Sequence, residues 1–397
     1  MSDHVVVVGA GYAGAGAVRS FERAAPADAD LTWISEHDYH LVLHEVHRVI
    51  RDPSVAPKIR LPVEEIKSPS TEFVEGRVEG VDVDERAVAL ADGSTVEYDY
   101  LLIALGSATA FYGIEGLRKH SLTLKSLDDA EAINAAVREA AAGATRDDPA
   151  QVLVGGAGLS GIQAAGEIAG WRDDNRAPVE VTLVEGLDEV FPGNDPSVQA
   201  ALRERLEAAG IDILTGEFIS EVDEGTVYLG GGEDEEPEEL PYDVLLWTGG
   251  ITGQEEVADA GVEKDERSNR IHADRDFTTS DDRVFAIGDT ALIRQDGDEV
   301  APPTAQAAWQ AAEVAGENLA RAVRGEPLDT WTHEDKGTLI SVGEEAVAHG
   351  VRMPVLGDLP VDTFGGAPAK FLKKAVAARW IRDVTSTGRA IRAWGDM

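Results

Sequence analysis

The chain has 397 residues, 74 acidic against 35 basic side chains, a formal net charge of −39, 43% hydrophobic residues and no cysteine. That length implies two or three domains with sizeable cores, and the ordinary apolar content argues against disorder throughout. Zero Cys excludes disulfides, thiolate metal sites and redox-thiol chemistry, and the acidic excess repels a phosphate backbone, so no nucleic-acid partner is expected.

Nine of the 35 basic residues are Lys, and acid is spread along the whole chain. This reads as a surface adapted to concentrated salt, where a Debye length of about 3 Å at 1 M screens self-repulsion. The plainer alternative is an acidic protein of an ordinary cell. Ser2-Asp3 leads into an apolar run that reads as a strand, so no secretory signal opens the chain. Nowhere do 18 apolar residues run together, and nothing is expected to span a membrane.

In chain order, Val5-Val6-Val7-Val8 predicts a strand buried on both faces of a parallel sheet. It feeds Gly9-Ala10-Gly11-Tyr12-Ala13-Gly14 and then a helix over residues 15–25. Here the GxGxxG pattern has a mechanism. Gly9 makes a tight turn, Gly11 admits a pyrophosphate to the backbone, and Gly14 lets helix and strand pack closely. The helix N-terminus offers unpaired N–H groups to the phosphates. A second strand, residues 31–34, ends near Glu36, where a carboxylate can accept hydrogen bonds from a ribose diol. His40, His44 and His47 follow at i, i+4 and i+7, which on a helix would align like metal ligands.

The arrangement then returns. Residues 151–154 run into Gly155-Gly156-Ala157-Gly158-Leu159-Ser160-Gly161, a helix follows to Trp171, and the strand 179–184 ends at Glu185. Two complete strand, turn, helix and acid sets imply two bound nucleotides. Glu185 would repel a 2′-phosphate, so the second site should prefer NADH to NADPH. The run from Gly230 to Glu239 reads as a solvated hairpin tip between strands. Val284 to Ile287 followed by Gly288-Asp289 places a carboxylate after an apolar strand, which can bind the hydroxyls of a flavin's ribityl chain, although by itself a strand ending in Gly-Asp is more often a plain turn. Prolines 302 and 303 precede a helix expected over residues 304–324, with Gln306 and Gln310 sharing one face.

The C-terminal region inverts the charge. From Gly365 onward seven basic residues stand against Asp383 and Asp396. A helix over residues 368–384 would carry an apolar arc of Leu372, Val376, Trp380 and Val384, interrupted by Lys373 and Arg379. Such a basic, aromatic helix suits a membrane interface. Equally, it could pack on the acidic body or on a second subunit, as in a homodimer.

These residues resemble the two-dinucleotide-binding-domain flavoproteins, the pyridine nucleotide-disulfide oxidoreductase superfamily. Five motifs match in order: Gly9 to Gly14, Tyr98 to Ser107, Gly156 to Gly161, Asp243 to Gly250, and Val284 to Asp289. The resemblance implies an α/β fold with two Rossmann-like domains: a discontinuous FAD domain (1–110 and 265–325), an inserted NAD(H) domain (111–264), and a small C-terminal α+β region (326–397) for interface or membrane association. It assigns Gly9, Gly11, Tyr12, Ala13, Gly14, Glu36, His37, Ala104, Gly106, Gly288, Asp289, Ala305 and Gln306 to FAD. Gly156, Gly158, Leu159, Ser160, Gly161, Glu185 and Gly249 fall to NADH. It also puts the His40 to His47 segment beside the flavin, where no metal is expected.

Within the superfamily, the missing cysteines disfavour disulfide reductases, sulfide:quinone oxidoreductases and thiol-dependent oxidases. Glu36 to Leu41 and Pro302 to Gln310 resemble the type II NADH dehydrogenases (NADH:quinone oxidoreductases). That likeness implies a cytoplasmic enzyme, peripheral on the cytoplasmic face of the cell membrane. It would pass hydride from NADH to FAD and two electrons to a quinone near Gln306 and Gln310. Gln163 stands where that family commonly has a Glu, and Leu105 where a Thr is usual. Two rival readings stay open: a soluble reductase of a ferredoxin-type partner, and a nucleotide-binding sensor or scaffold without turnover.

Overall fold

The computed structural model describes residues 3–231, 236–353, 357–358 and 363–394. The acid-rich residues 232–235, like Asp396, lie outside the described residues; the strands flanking the former, Thr226–Leu229 and Glu238–Pro241, pair antiparallel as the hairpin reading requires.

The first half begins with β1 (His4–Val8), α1 (Tyr12–Ala24), β2 (Asp30–Ser35), β3 (Glu72–Glu75), β4 (Tyr100–Ile103) and α2 (Leu127–Gly143). The next unit contributes β5 (Ala150–Gly155), α3 (Leu159–Asn175), β6 (Val179–Glu185), β7 (Ile211–Thr215) and β8 (Val244–Trp247). After it come β9 (Val284–Ala286), α4 (Ala305–Val323), β10 (Thr338–Val342), β11 (Glu345–His349), β12 (Thr363–Gly365), α5 (Ala367–Val384) and α6 (Thr387–Trp394).

Two parallel sheets organise the molecule. The first has strand order β9-β4-β1-β2-β3, the second β7-β6-β5-β8. β9 joins the first sheet from far downstream, pairing Val284 with Leu101 and Ala286 with Ile103. Val5 to Val8 are fully buried. Their continuous apolar run is what a strand covered on both faces needs.

Small residues set the helix packing over this sheet. A Cβ on Gly16 would lie 2.7 Å from Ala312 Cβ, and one on Gly316 2.4 Å from the Ala17 carbonyl oxygen. α1 and α4 therefore approach backbone to backbone, and their first turns come together. Gly166 of α3 likewise meets the turn after β10, where its Cβ would be 2.5 Å from Gly343 N. This docks the antiparallel β10-β11-β12 sheet onto the second unit.

The C-terminal helix forms over nearly the expected span but with its buried face rotated. Ala369, Lys373, Ala377, Trp380, Ile381 and Val384 point inward, while Val376 is exposed. Alanines permit the close approach, and Lys373 is drawn in by polar partners described below. The three histidines do not share a helix. His40 lies in a short strand (Tyr39–Leu41), His44 in a 3₁₀ turn (Leu43–Glu45), and His47 caps the next helical turn. Among the described residues no cluster could hold a metal ion.

Candidate functional site

The two glycine cradles are near copies. Gly11 caps α1 at φ −73° and ψ −169°, and Gly158 caps α3 at φ −76° and ψ −172°. Neither helix has a side-chain cap, so the first-turn N–H groups of Tyr12, Ala13 and Gly14, and of Leu159, Ser160 and Gly161, remain for an anion. A Cβ on Gly11 or Gly158 would meet nothing within 4 Å. That is the free approach a pyrophosphate needs. Gly9 and Gly156 do the opposite work, turning the chain at φ +104° and +95° where a Cβ would strike Ala104 or Gly249 backbone. Gly14 and Gly161 would each place a Cβ 1.9 Å from the carbonyl oxygen of the turn glycine.

Around the first cradle, Glu36 stands exposed one residue past β2, with His37 stacked on Tyr39. Trp33 donates its indole N–H to the Gly9 carbonyl at 2.9 Å. Gly288, at φ +75°, packs against Ala13 and Ala308, so the first turns of α1 and α4 converge on Gly288-Asp289, with Ala305 at the start of α4. Gly106, at φ +71°, leaves open space above the end of β4.

The Asp289 carboxyl is pushed up by burial, with Lys125 and Arg270 pulling it back. Lys125 donates to Ser107 Oγ at 3.1 Å, which lies 3.5 Å from Asp289. The Lys125 ammonium is destabilised by burial and supported by Asp289 and Asp129. Lys125, Ser107 and Asp289 thus form a polar wall suited to a polyol and a phosphate. Sequence reading missed Lys125 because it sits in a linker before α2 with no motif around it.

In the second cradle, Glu185 ends β6, and its carboxylate accepts from Ala157 N–H at 2.7 Å and Leu187 N–H at 3.0 Å. It is therefore fixed beside the glycine turn. Both cradles fit dinucleotides, and the first also fits a ribityl chain.

Where α1 and α3 leave the cradles, a buried polar cluster joins them. Tyr12 hydrogen-bonds His44 Nδ1. His44 Nε2 lies 3.5 Å from Glu45 Oε1, and Lys373 Nζ 3.8 Å from the same oxygen. Lys373 donates to Ser341 Oγ at 2.6 Å and to His47 Nε2 at 3.2 Å. Gln163 donates to Ser341 Oγ at 3.1 Å and lies 3.4 Å from His47 Nε2. Since Lys373 and the Gln163 amide nitrogen can only donate, His47 Nε2 accepts and the ring is neutral. Burial, reinforced by Lys373, holds its pKa well below the ordinary value.

Gln306 and Gln310 share a face of α4, as expected, but their amides are engaged. Gln306 donates to the Gly337 carbonyl at 3.0 Å and accepts from Lys336 N–H at 2.9 Å. Gln310 donates to the Glu334 carbonyl at 2.8 Å and accepts from Glu334 N–H at 3.1 Å. In place of free donors to an electron acceptor, the structure makes them a clamp on the segment leading into β10, which carries Ser341.

A second network braces the first cradle. Trp380 Nε1 donates to His40 Nε2 at 2.8 Å, and His40 Nδ1 donates to the Ala10 carbonyl at 2.7 Å. Burial lowers the His40 pKa to about 4, so the ring is neutral with its proton on Nδ1.

Type II NADH:quinone oxidoreductase of Staphylococcus aureus (strain MSSA476) is 27% identical over 409 residues, covering 98% of this chain and 97% of its own. NDH2 from Plasmodium falciparum in complex with NADH superimposes with a TM-score of 0.80 at 16% identity, over 99% of this chain and 98% of that one. The sulfide:quinone oxidoreductase of Aquifex aeolicus does so with 0.79 at 20%, over 98% and 92%. The family model described as pyridine nucleotide-disulphide oxidoreductase matches residues 3–312, which include both cradles and the Gly288-Asp289 turn. The chain belongs to the pyridine nucleotide-disulphide oxidoreductase family.

Proposed function

We propose that the protein is an FAD-dependent NADH:quinone oxidoreductase of the non-electrogenic type. The observation that carries this reading is the pair of uncapped glycine cradles whose helices converge on one buried polar site, in a chain with no cysteine. The Staphylococcus aureus relatives, similar over nearly the whole length, support quinone as the acceptor class. FAD in the first cradle would supply the two-electron chemistry, taking hydride from NADH and passing electrons to the quinone.

The protein's share is binding, orientation and electrostatics. The N–H groups of Tyr12 to Gly14 and of Leu159 to Gly161 hold the two pyrophosphates. Glu36 and Glu185 accept ribose hydroxyls, and the fixed Glu185 carboxylate disfavours a 2′-phosphate. Asp289 and Lys125 hold the ribityl side. The division into 1–110 with 265–325, 111–264 and 326–397 is part of the same reading.

Exposed Phe371, Val376 and Ile391 lie on α5 and α6 among Lys370, Arg379, Arg382 and Arg392. This supports peripheral contact with an anionic lipid surface, carried by the buried aromatic and aliphatic area where salt screens the charges. Among the described residues no helix is long and apolar enough to cross a membrane.

Anaerobic addition of NADH to the holoprotein should bleach the flavin absorbance, and a soluble quinone should restore it. A flavin that NADH leaves oxidised refutes the donor. One that NADH reduces but quinone does not reoxidise refutes the acceptor.

A further inference from the structure

Phe218 and Leu187 are 63% and 51% exposed, and neither belongs to the basic C-terminal helices. Each occupies a loop at the C-terminal edge of the second parallel sheet. β6 ends at Glu185 and leads into Gly186-Leu187, and β7 ends at Thr215 and leads into Gly216-Glu217-Phe218. Two backbone hydrogen bonds lock these loops together. Gly216 N–H donates to the Leu187 carbonyl at 2.9 Å, and Glu217 N–H to the Glu185 carbonyl at 3.1 Å. The Phe218 ring then lies across Gly186, where a Cβ would come within 2.5 Å of two ring carbons, so a side chain at 186 would displace it. An open aromatic face beside a carboxylate fixed by two N–H groups is the mixture of apolar wall and placed polar group that a small-molecule site uses.

We propose that Phe218 is the stacking platform for the adenine of NADH, with Leu187 flanking it and Gly186 making room for the ring. This rests on the reading of the second cradle as the NADH site. Ligands of open parallel sheets lie outside the carboxyl ends of the strands, and here three stations follow one another along that edge in the strand order β5-β6-β7. The Leu159 to Gly161 N–H groups after β5 take the pyrophosphate, Glu185 at the end of β6 takes the adenosine ribose, and Phe218 stands past the end of β7. A nucleotide held at the first two stations carries its base toward the third. Neighbouring strands lie about 4.8 Å apart, a spacing that the phosphate, ribose and base of one adenosine unit can follow.

The charges favour an uncharged platform. Arg203, the first Arg after Glu185 in the chain, lies 3.0 Å from Glu189 and 3.9 Å from Glu207, so its guanidinium is engaged away from a base. NADH is an anion and the chain carries −39. Stacking on a phenyl ring needs no opposite charge and accepts any flat base, and it keeps its strength in salt that shortens the Debye length to about 3 Å and weakens ion pairs. Phe218 therefore distinguishes a donor that carries a base from one that does not, and acts on donor binding rather than on hydride transfer.

The test separates the adenosine end of the donor from the nicotinamide end. In the anaerobic holoprotein, Phe218→Ala should raise the NADH concentration that half-saturates flavin reduction about 10-fold, within the range for base–aromatic stacking, and leave the limiting rate unchanged. Reduced nicotinamide mononucleotide, which has no adenosine, should reduce wild type and variant alike. Independently of activity, calorimetry should show ADP-ribose binding weakened by the same factor in Phe218→Ala and restored in Phe218→Trp, whose added emission ADP-ribose should quench. Unchanged ADP-ribose affinity in Phe218→Ala, or equal losses with NADH and the mononucleotide, overturns the proposal. A wild-type flavin that neither donor reduces, with ADP-ribose still bound in a Phe218-dependent way, refutes the donor assignment and upholds the platform.

Discussion

Replacing Trp380 by Phe tests whether the C-terminal helix braces the first cradle. Trp380 is 1% exposed, and its ring centroid lies 4.6 Å from that of Tyr12 and 4.8 Å from that of Trp309. Phe keeps much of that packing but removes the N–H that His40 Nε2 accepts at 2.8 Å. A buried acceptor left unpaired costs about 1–3 kcal/mol, so urea unfolding at pH 7.5 should show a loss of that size.

The pH dependence carries the sharper signature. His40 titrates at about 4 in the folded protein against 6.5 when exposed. Above 6.5 both states are neutral and the histidine has no effect. As pH falls from 6.5 to 4 the unfolded chain gains a proton that the native state refuses, and stability drops by roughly 3 kcal/mol, with no further loss below. With the indole gone, Nε2 can accept a proton more easily, so the variant should lose less than the wild type over that range. Because His40 also donates to Ala10 within the glycine turn, FAD should dissociate faster. Equal unfolding free energies at pH 7.5 together with equal slopes between pH 6.5 and 4 would refute the brace.

Other outcomes follow from single positions. Gly11→Val should fold normally, since nothing lies within 4 Å of its Cβ at an ordinary φ, yet purify without FAD; a yellow protein of wild-type flavin content contradicts the cradle. Gly9→Ala, at φ +104° and 2.3 Å from Ala104 O, should instead destabilise the fold itself, read as a fall in Tm. Gln306→Ala should raise amide hydrogen exchange over residues 334–337, where the side chain pins Lys336 and Gly337; unchanged exchange there removes the clamp. Raising KCl from 0.1 to 1 M shortens the Debye length from about 10 to 3 Å and should raise Tm, whereas equal melting in both defeats the reading of the −39 charge as salt adaptation.

The local chemistry of the cradles was written in the sequence because it depends on neighbours only a few residues away. Whether Gly9 can turn and Gly11 can stay open is decided within one strand, one turn and one helix, whereas the return of residues 284–289 to the first sheet was implied by the family resemblance and not by the residues themselves. The convergence of side chains from distant segments was not legible. Lys373 carries the pattern of a surface lysine interrupting an apolar arc, and only the arrival of Glu45, His47 and Ser341 from elsewhere makes its inward turn favourable. Gln306 and Gln310 show the same limit in reverse. Their i, i+4 spacing correctly predicts one shared face, but spacing cannot reveal that the backbone of residues 334–337 already uses that face. The cluster also changes what Gln163 means. Read alone, it is a lost charge where the family commonly has a Glu. Among its neighbours it is a neutral donor to Ser341 beside His47, which a carboxylate at that position could not be.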